Sequence, residues 1–417
     1  MDEYLSRAEK ILKRINELSS YSEDEHGITR IFGTPSFINC SEKIFSWMQL
    51  AGLKTFTDNI GNVRGKYVSE NPGAKTFVIA SHFDTVKNAG KFEGAIGILI
   101  GLDLVENFIK EKIKLPFHIE IIAFSAEKGA RFHSKFLAGK VIAGSFEKKL
   151  LEINDEEGNT LSAVLESMNM DLQNLQEDNI SPSEWLGYFE IDIEAGPVLY
   201  KNNIPVGLVS AIAGQKKILI DFAGKTGNAS GFPMNMRRDA LCAAAEFIVE
   251  VEEYASREKR NLIATVEEIN ILNGSSNYIP AKVSCTLDIR SSNNELLSQA
   301  YENINNLCED ICHKRKIYFE WKLISEWDAV DCDEKLRSVL ARSIEANNIE
   351  LTELISGAGH AAQVISEVAP VAILFVKSFK GISHDPLENV EIEDITVALE
   401  VAEDFVQNLR DFEIAEK

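Results

Sequence analysis

The chain has 417 residues, too many for one ordinary hydrophobic core, so two domains are expected. It is 45% apolar and 26% charged, a globular composition, and its net charge of −22 argues against nucleic acid or an anionic membrane as partner, because phosphate binding draws on Lys and Arg. No apolar run is long enough to span a bilayer, and the start Met1-Asp2-Glu3-Tyr4 lacks the basic and apolar stretches of a signal peptide, which makes the cytoplasm the expected location.

Residues 4–18 place Leu5, Ala8, Ile11, Leu12, Ile15 and Leu18 at helical spacing. A second helix near 36–52 runs into Asp58-Asn59-Ile60-Gly61-Asn62, a turn-forming sequence. The apolar run Thr76-Phe77-Val78-Ile79-Ala80 reads as a buried strand, and Ser81-His82-Phe83-Asp84-Thr85 stands where it gives way to a loop. Residues 90–94 form a glycine-flanked loop, 95–108 an apolar helix, and 118–124 a second strand that ends just before Glu127-Lys128. Thr160 is placed to cap a helix carrying Leu161, Val164, Leu165 and Met168. This alternation of strand and helix is the pattern of a mostly parallel sheet.

After about residue 210 the pattern changes. Strand 217–223, helix 235–254, strands 262–272 and 281–289, helix 294–314 and strand 317–324 follow the split βαβ plan of a ferredoxin-like domain. Helix 334–346, strand 371–376 and helix 391–411 return to the earlier style. The expected architecture is an α/β domain of residues 1–210 and 328–417, split by a smaller inserted α+β domain, 211–327. Six cysteines at 40, 242, 285, 308, 312 and 332 form no disulfide framework. Cys308-Glu309-Asp310-Ile311-Cys312-His313 has metal-binding residue types, but its helical context and the lack of a second ligand pair favour core packing.

In open α/β sheets ligands bind beyond the carboxyl ends of the strands. His82 and Asp84 stand at one such end. A neutral imidazole ligates Zn²⁺ or Mn²⁺, and a carboxylate accepting from its other ring N–H would fix the tautomer, although His-x-Asp alone equally fits a hydrogen-bonded loop histidine. Glu93, in Gly90-Lys91-Phe92-Glu93-Gly94, could ligate a metal or cap the following helix. Glu127 could be a general base or one more solvated acid, and His384 follows a strand in the same manner. The convergence of four such loops favours the catalytic reading.

Seven segments carry a resemblance: SHFDTVKNAGKFEGAIG, FSAEKGARF, EIDIEAGPVL, AGQKKILIDFAGKTGNASGFPMNMRRDAL, NYIPAKVSCTLDIR, SGAGHAA and FVKSFKGISHDPLE. In this order and spacing they resemble the M20 metallopeptidase clan, most closely its N-carbamoyl-L-amino-acid amidohydrolase and allantoate amidohydrolase branch. The resemblance implies that the α/β domain is catalytic, that the inserted domain is a lid and a dimerisation element, and that two divalent metals sit at positions His82, Glu93, Lys128, Asp192 and His384. It implies a general base at Glu127, with Asp84 behind His82. The family expects Asp at 93, Glu at 128 and His at 192. Glu93 keeps the charge on a longer arm, Asp192 remains an oxygen ligand, and Lys128, as an ammonium, has no lone pair to offer a metal. Asn228 replaces a histidine that polarises the scissile carbonyl, Ala195 replaces Gln and Ala361 replaces Asp. Gln215, Asn277 and Arg290 match substrate-holding positions, with Gly359 and His360 beside them, and Arg290 is expected to clamp a substrate carboxylate in bidentate fashion.

Three readings follow. The first is a hydrolase of an amide or ureido C–N bond in a small carboxylate-bearing N-substituted amino acid. It would use one divalent ion, Zn²⁺ or Mn²⁺, held by His82, Glu93 and Asp192 with His384 nearby. The second is a metal-free enzyme in which Lys128 replaces the metal charge, or is desolvated enough to act as nucleophile or base. The third is a non-catalytic binding relative. The resemblance also implies a homodimer.

Overall fold

The computed structural model describes residues 2–71, 73–258, 262–272 and 274–411. They fall into two compact units, one within residues 1–210, 332–356 and 360–417, the other within 211–331 together with 357–359. Along the first unit run strands β1 (Lys54–Thr57), β2 (Val63–Tyr67), β3 (Thr76–His82), β4 (His118–Phe124), β5 (Trp185–Ile193) and β6 (Val206–Ile212). The second unit carries β7 (Gly214–Ala223), β8 (Ile263–Leu272), β9 (Lys282–Ser291), β10 (Tyr318–Trp327) and the two-residue β11 (Val330–Asp331), after which the first unit resumes with β12 (Glu353–Ser356) and β13 (Val371–Val376).

The sheet of the first unit has the order β1-β2-β4-β3-β5-β13-β6, with β12 also on β6. Its four central strands, β4, β3, β5 and β13, are mutually parallel, and antiparallel strands flank them. Parallel strands covered on both faces need unbroken apolar sequence, and TFVIASH and VAILFV are buried throughout. Helix Ala95–Lys110 lies close on this sheet: a Cβ at Gly97 would come within 2.1 Å of the Ile191 carbonyl oxygen, so only glycine allows the approach. Strand β5 is absent from the sequence-based expectations because Glu190 and Asp192 interrupt its apolar run. Both are nonetheless buried, on the face they share with Tyr188. β3, β5 and β13 end together on the same side, and the strand ends carry the residues described below.

The second unit is an antiparallel sheet of order β10-β7-β9-β8. Helices Ala240–Arg257 and Asn294–Arg315 cover one face, around Ile218, Ile220, Phe222, Phe247, Leu287 and Ile304. The first of these helices begins later than the expected residue 235. Pro233 opens a separate 3₁₀ turn, Met234–Met236, and Asp239 caps the helix by accepting from the N–H groups of Leu241 (3.0 Å) and Cys242 (3.1 Å). Cys308 and Cys312 belong to this core, and no metal-binding group among the described residues contains them. No helix is long and apolar enough to cross a membrane, among the described residues.

Candidate active site

His82 is the last residue of β3. Its Nδ1 lies 2.9 Å from the main-chain oxygen of Asp84. A carbonyl can only accept, so Nδ1 carries the proton and Nε2 keeps its lone pair. Nε2 is buried without a hydrogen-bond partner. Burial first, and then the Lys128 charge, push the imidazole down to about 3, so the ring is neutral. The expected orienting group therefore needs correction: the Asp84 carbonyl fixes the tautomer, and the carboxylate Oδ1 stands 3.6 Å away. Asp84 Oδ2 instead accepts the N–H groups of Glu127 (3.1 Å) and Lys128 (2.9 Å), tying the loop after β4 to the end of β3. Burial raises this carboxyl to about 7.

Ligand atoms of His82, Glu93 and Asp192 all lie within 4.8 Å of one another. Asp192, near the end of β5, accepts through Oδ1 from the N–H groups of Gly94 (3.0 Å) and Ile193 (2.8 Å). Burial, then the nearby Glu93 charge, bring its pKa up to about 6. A bare buried imidazole nitrogen with two carboxylates is a donor set that fits one divalent ion.

Lys128 points into the same group. Its ammonium hydrogen-bonds Glu93 Oε1, and His384 Nε2 sits 2.6 Å from that oxygen. Burial alone would lower the lysine pKa, but Glu93, then Asp192, outweigh it and push the group above its ordinary value. This argues against a desolvated neutral lysine: the hydrogen bond to Glu93 favours the ammonium form of Lys128. Burial would likewise raise Glu93, but Lys128 and His384 hold it well below the usual carboxylate range. His384 reaches Glu93 from a half-exposed position with left-handed backbone, φ 59°.

Glu127 Oε1 accepts from the N–H of Gly139 at 2.9 Å, while Oε2 is buried with no partner. Burial, then Asp84, raise its pKa well above 4.5. An oriented carboxylate with one unengaged oxygen has the form of a general base. On the same side of β5, Glu190 accepts from Tyr188 Oη (2.9 Å) and lies 2.9 Å from His360 Nδ1, and Ser356 Oγ lies 2.9 Å from His360 Nε2. Both ring nitrogens of His360 are thus engaged within the protein, which differs from its expected direct contact with substrate. Burial opposes the charge on this histidine, but Glu190 outweighs it and raises the ring above its ordinary pKa. Glu190, Tyr188 and Ser356 are absent from the sequence-based candidates. The two-residue spacing of Tyr188, Glu190 and Asp192 is the one signal that groups the first two with the site.

The second unit has a polar cluster of its own. Arg290 presents Nε (2.7 Å) and Nη2 (3.0 Å) to the two oxygens of Asp288, and its Nη1 donates to the carbonyl of Gly357 at 2.5 Å. The Gln215 side-chain amide also donates to Asp288. The side-on fork of Arg290 is therefore occupied within the chain, and the remaining Nη1 and Nη2 hydrogens are what it can offer to the expected clamp. Gly359 lies two residues beyond Gly357 in the same short segment. Asn228 Oδ1 accepts from Ser230 N (2.9 Å), Ser230 Oγ (2.7 Å) and Gly231 N (3.1 Å), which turns the side-chain NH₂ away from its own loop. Asn277 stands opposite it on the adjoining turn, with φ 70° and its carbonyl accepting from Ala229 N at 2.8 Å.

Residues 78–408 match Peptidase family M20/M25/M40. Allantoate deiminase 1 of Glycine max is 34% identical, covering 96% of this chain and 89% of its own length. The N-carbamoyl-L-amino acid amidohydrolase of Geobacillus stearothermophilus is 31% identical over 95% of this chain and 97% of its own. Among solved structures, an amidase of the hydantoinase/carbamoylase family from Burkholderia multivorans superposes with a TM-score of 0.88 at 26% identity, covering 98% of both chains. With most of its length matched in sequence and in fold, the chain belongs to Peptidase family M20/M25/M40.

Proposed function

We propose that this protein hydrolyses an amide or ureido C–N bond in a small, carboxylate-bearing N-substituted amino acid, at a centre built for one divalent ion. The observation that carries the reading is the unpartnered, proton-free Nε2 of His82, grouped with Glu93 and Asp192. These three residues would hold the ion. A second ion of the family type does not fit the residues at the neighbouring position: Lys128 has no lone pair, and its ammonium already neutralises Glu93. When bound, a divalent ion supplies Lewis acidity at the scissile carbonyl.

The chain's own groups do the rest. Glu127 Oε2 takes a proton from the attacking water and returns it to the leaving nitrogen. Asp84 keeps Glu127 and Lys128 in register through their main-chain N–H groups. Asn228, with its oxygen engaged by its own turn, offers only N–H to a developing oxyanion. Arg290, through its remaining Nη1 and Nη2 hydrogens, and Asn277 hold the substrate carboxylate, with Gln215 and Asp288 orienting the guanidinium. The protein would act as a homodimer in the cytoplasm, joined through the inserted unit.

Metal analysis of the purified protein, with ammonia release from N-carbamoyl-L-amino acids and allantoate, tests the proposal. The expected result is close to one tightly bound Mn²⁺ or Zn²⁺ per chain and turnover that chelation abolishes and the metal restores. Lys128→Glu should add a second equivalent. Two ions in the natural protein, or turnover unaffected by complete chelation, would overturn the reading.

A further inference from the structure

Glu388 has no part in the chemistry above, yet it is one of the most enclosed acids in the first unit, 4% exposed. Its Oε1 accepts from two successive main-chain N–H groups, Phe92 at 2.7 Å and Glu93 at 3.0 Å. Its Oε2 is buried without a partner. The approach is so close that a Cβ on Gly90 would come within 2.3 Å of Glu388 Cβ, so the loop can lie on this carboxylate only with glycine at 90. Glu388 is itself held in a tight turn: its N–H donates to the Asp385 carbonyl at 2.9 Å, and Asp385 Oδ1 accepts from Leu387 N at 2.8 Å. His384, at the start of the same turn, meets the far end of the Glu93 side chain. One short loop therefore grips Glu93 at both its main chain and its carboxylate.

We propose that Glu388 is a positioning residue for Glu93, setting the main chain of the 92–93 turn so that the glutamate arm is delivered to the ion-binding group and to Lys128. The physical ground is the nesting of a carboxylate on two consecutive amides. Two hydrogen bonds accepted by one oxygen fix both the position and the tilt of the peptide that bears the ligand. The arm at 93 is one methylene longer than the aspartate expected there, so a free backbone would leave its carboxylate with more places to go. Glu388 removes that freedom. The inference rests on the one-ion reading of this site.

The test uses Glu388→Ala and Glu388→Asp in the full chain, with two readouts. Amide hydrogen exchange is followed over residues 90–94 in metal-free protein, and Mn²⁺ affinity is measured by calorimetry. Glu388→Ala should lose protection at Phe92 and Glu93 while the central strands stay protected, and should bind Mn²⁺ about ten- to a hundredfold more weakly, the usual cost of removing a partner behind a ligand. Glu388→Asp keeps the charge but withdraws the oxygen by one methylene, so it should lose part of both. It stands in for the alanine variant should that one fail to fold. A lowered melting temperature with unchanged exchange at 92–93 and unchanged Mn²⁺ affinity would reduce Glu388 to a structural acid and overturn the proposal. If the natural protein takes up no Mn²⁺, the one-ion reading falls, and the exchange measurement alone decides whether Glu388 positions Glu93.

Discussion

Glu93 Oε1 receives both the Lys128 ammonium and the His384 ring, whereas His82 Nε2 and Glu127 Oε2, just as deeply placed, have no hydrogen-bond partner. The two sides of the strand-end centre thus treat buried polar groups in opposite ways. An unmatched buried donor or acceptor costs roughly 1–3 kcal/mol, so a fold keeps one where something else is to be bound. Glu93 Oε1, already matched by a cation of its own chain, has no such need. The contrast separates the part of the centre that awaits a ligand from the part that has been closed internally, and it does so without reference to relatives.

The largest effect should come from the unmatched side. Glu127→Gln keeps the acceptor for Gly139 and removes the base, so kcat should fall by at least about a hundredfold while Mn²⁺ affinity holds. Equal losses in both would mean that Glu127 is a ligand, and would erase the distinction between the two sides. On the closed side, Lys128→Met strands a buried carboxylate and should lower unfolding stability by about 3 kcal/mol at pH 7. The sign with pH is defined. Glu93 is held below its ordinary value in the folded protein, so its ion pair contributes stability above pH 4.5 that is lost as the pH falls toward the folded value. In the variant, burial without the ammonium protonates Glu93 early, so the gap between the two proteins should narrow as the pH drops from 7 to 4. Urea titrations at the two ends of that range measure it, and a constant gap would show that Lys128 acts by packing alone. The smallest effect is expected at the exposed arm. His384→Asn tolerates the left-handed backbone and removes only the ring contact, costing about 1 kcal/mol in the same titration. A loss as large as that of Lys128→Met would place His384, and not the lysine, at the heart of the closed side.

Much of the scaffold is written in local sequence. TFVIASH is apolar from Phe77 to Ala80 and VAILFV throughout, and Thr160 accepts from Ala163 N at 3.1 Å as a cap must. Strand β5 is not legible in this way, because periodicity takes Glu190 and Asp192 for surface residues. The neighbouring Tyr188 hydroxyl and Ile193 amide, with the His360 ring, the Ala362 amide and the Gly94 amide brought from distant segments, make their burial tolerable. Within the site, residue types in the loops beyond the strands point to His82, Glu93, Glu127 and His384, whereas Asp192 is reached only through the family resemblance. Which atoms remain available is a property of the folded surroundings. Nothing in Leu287-Asp288-Ile289-Arg290 says that Asp288 takes the side-on edge of the guanidinium, and nothing near His82 says that a carbonyl, not a carboxylate, holds its proton. Glu388 escapes notice for the same reason, since its role lies in two main-chain amides some three hundred residues earlier in the chain.

Strand β5 leaves little room for change in length. Tyr188, Glu190 and Asp192 share one face, and Phe189, Ile191 and Ile193 fill the other, with the Phe189 and Phe405 ring centroids 4.6 Å apart and tilted by 54°. Adding or removing a single residue in this stretch would exchange the two sets, driving acids into a hydrocarbon layer and aromatic bulk into the hydrolytic centre. Variation in this lineage should therefore proceed here by replacement and never by insertion.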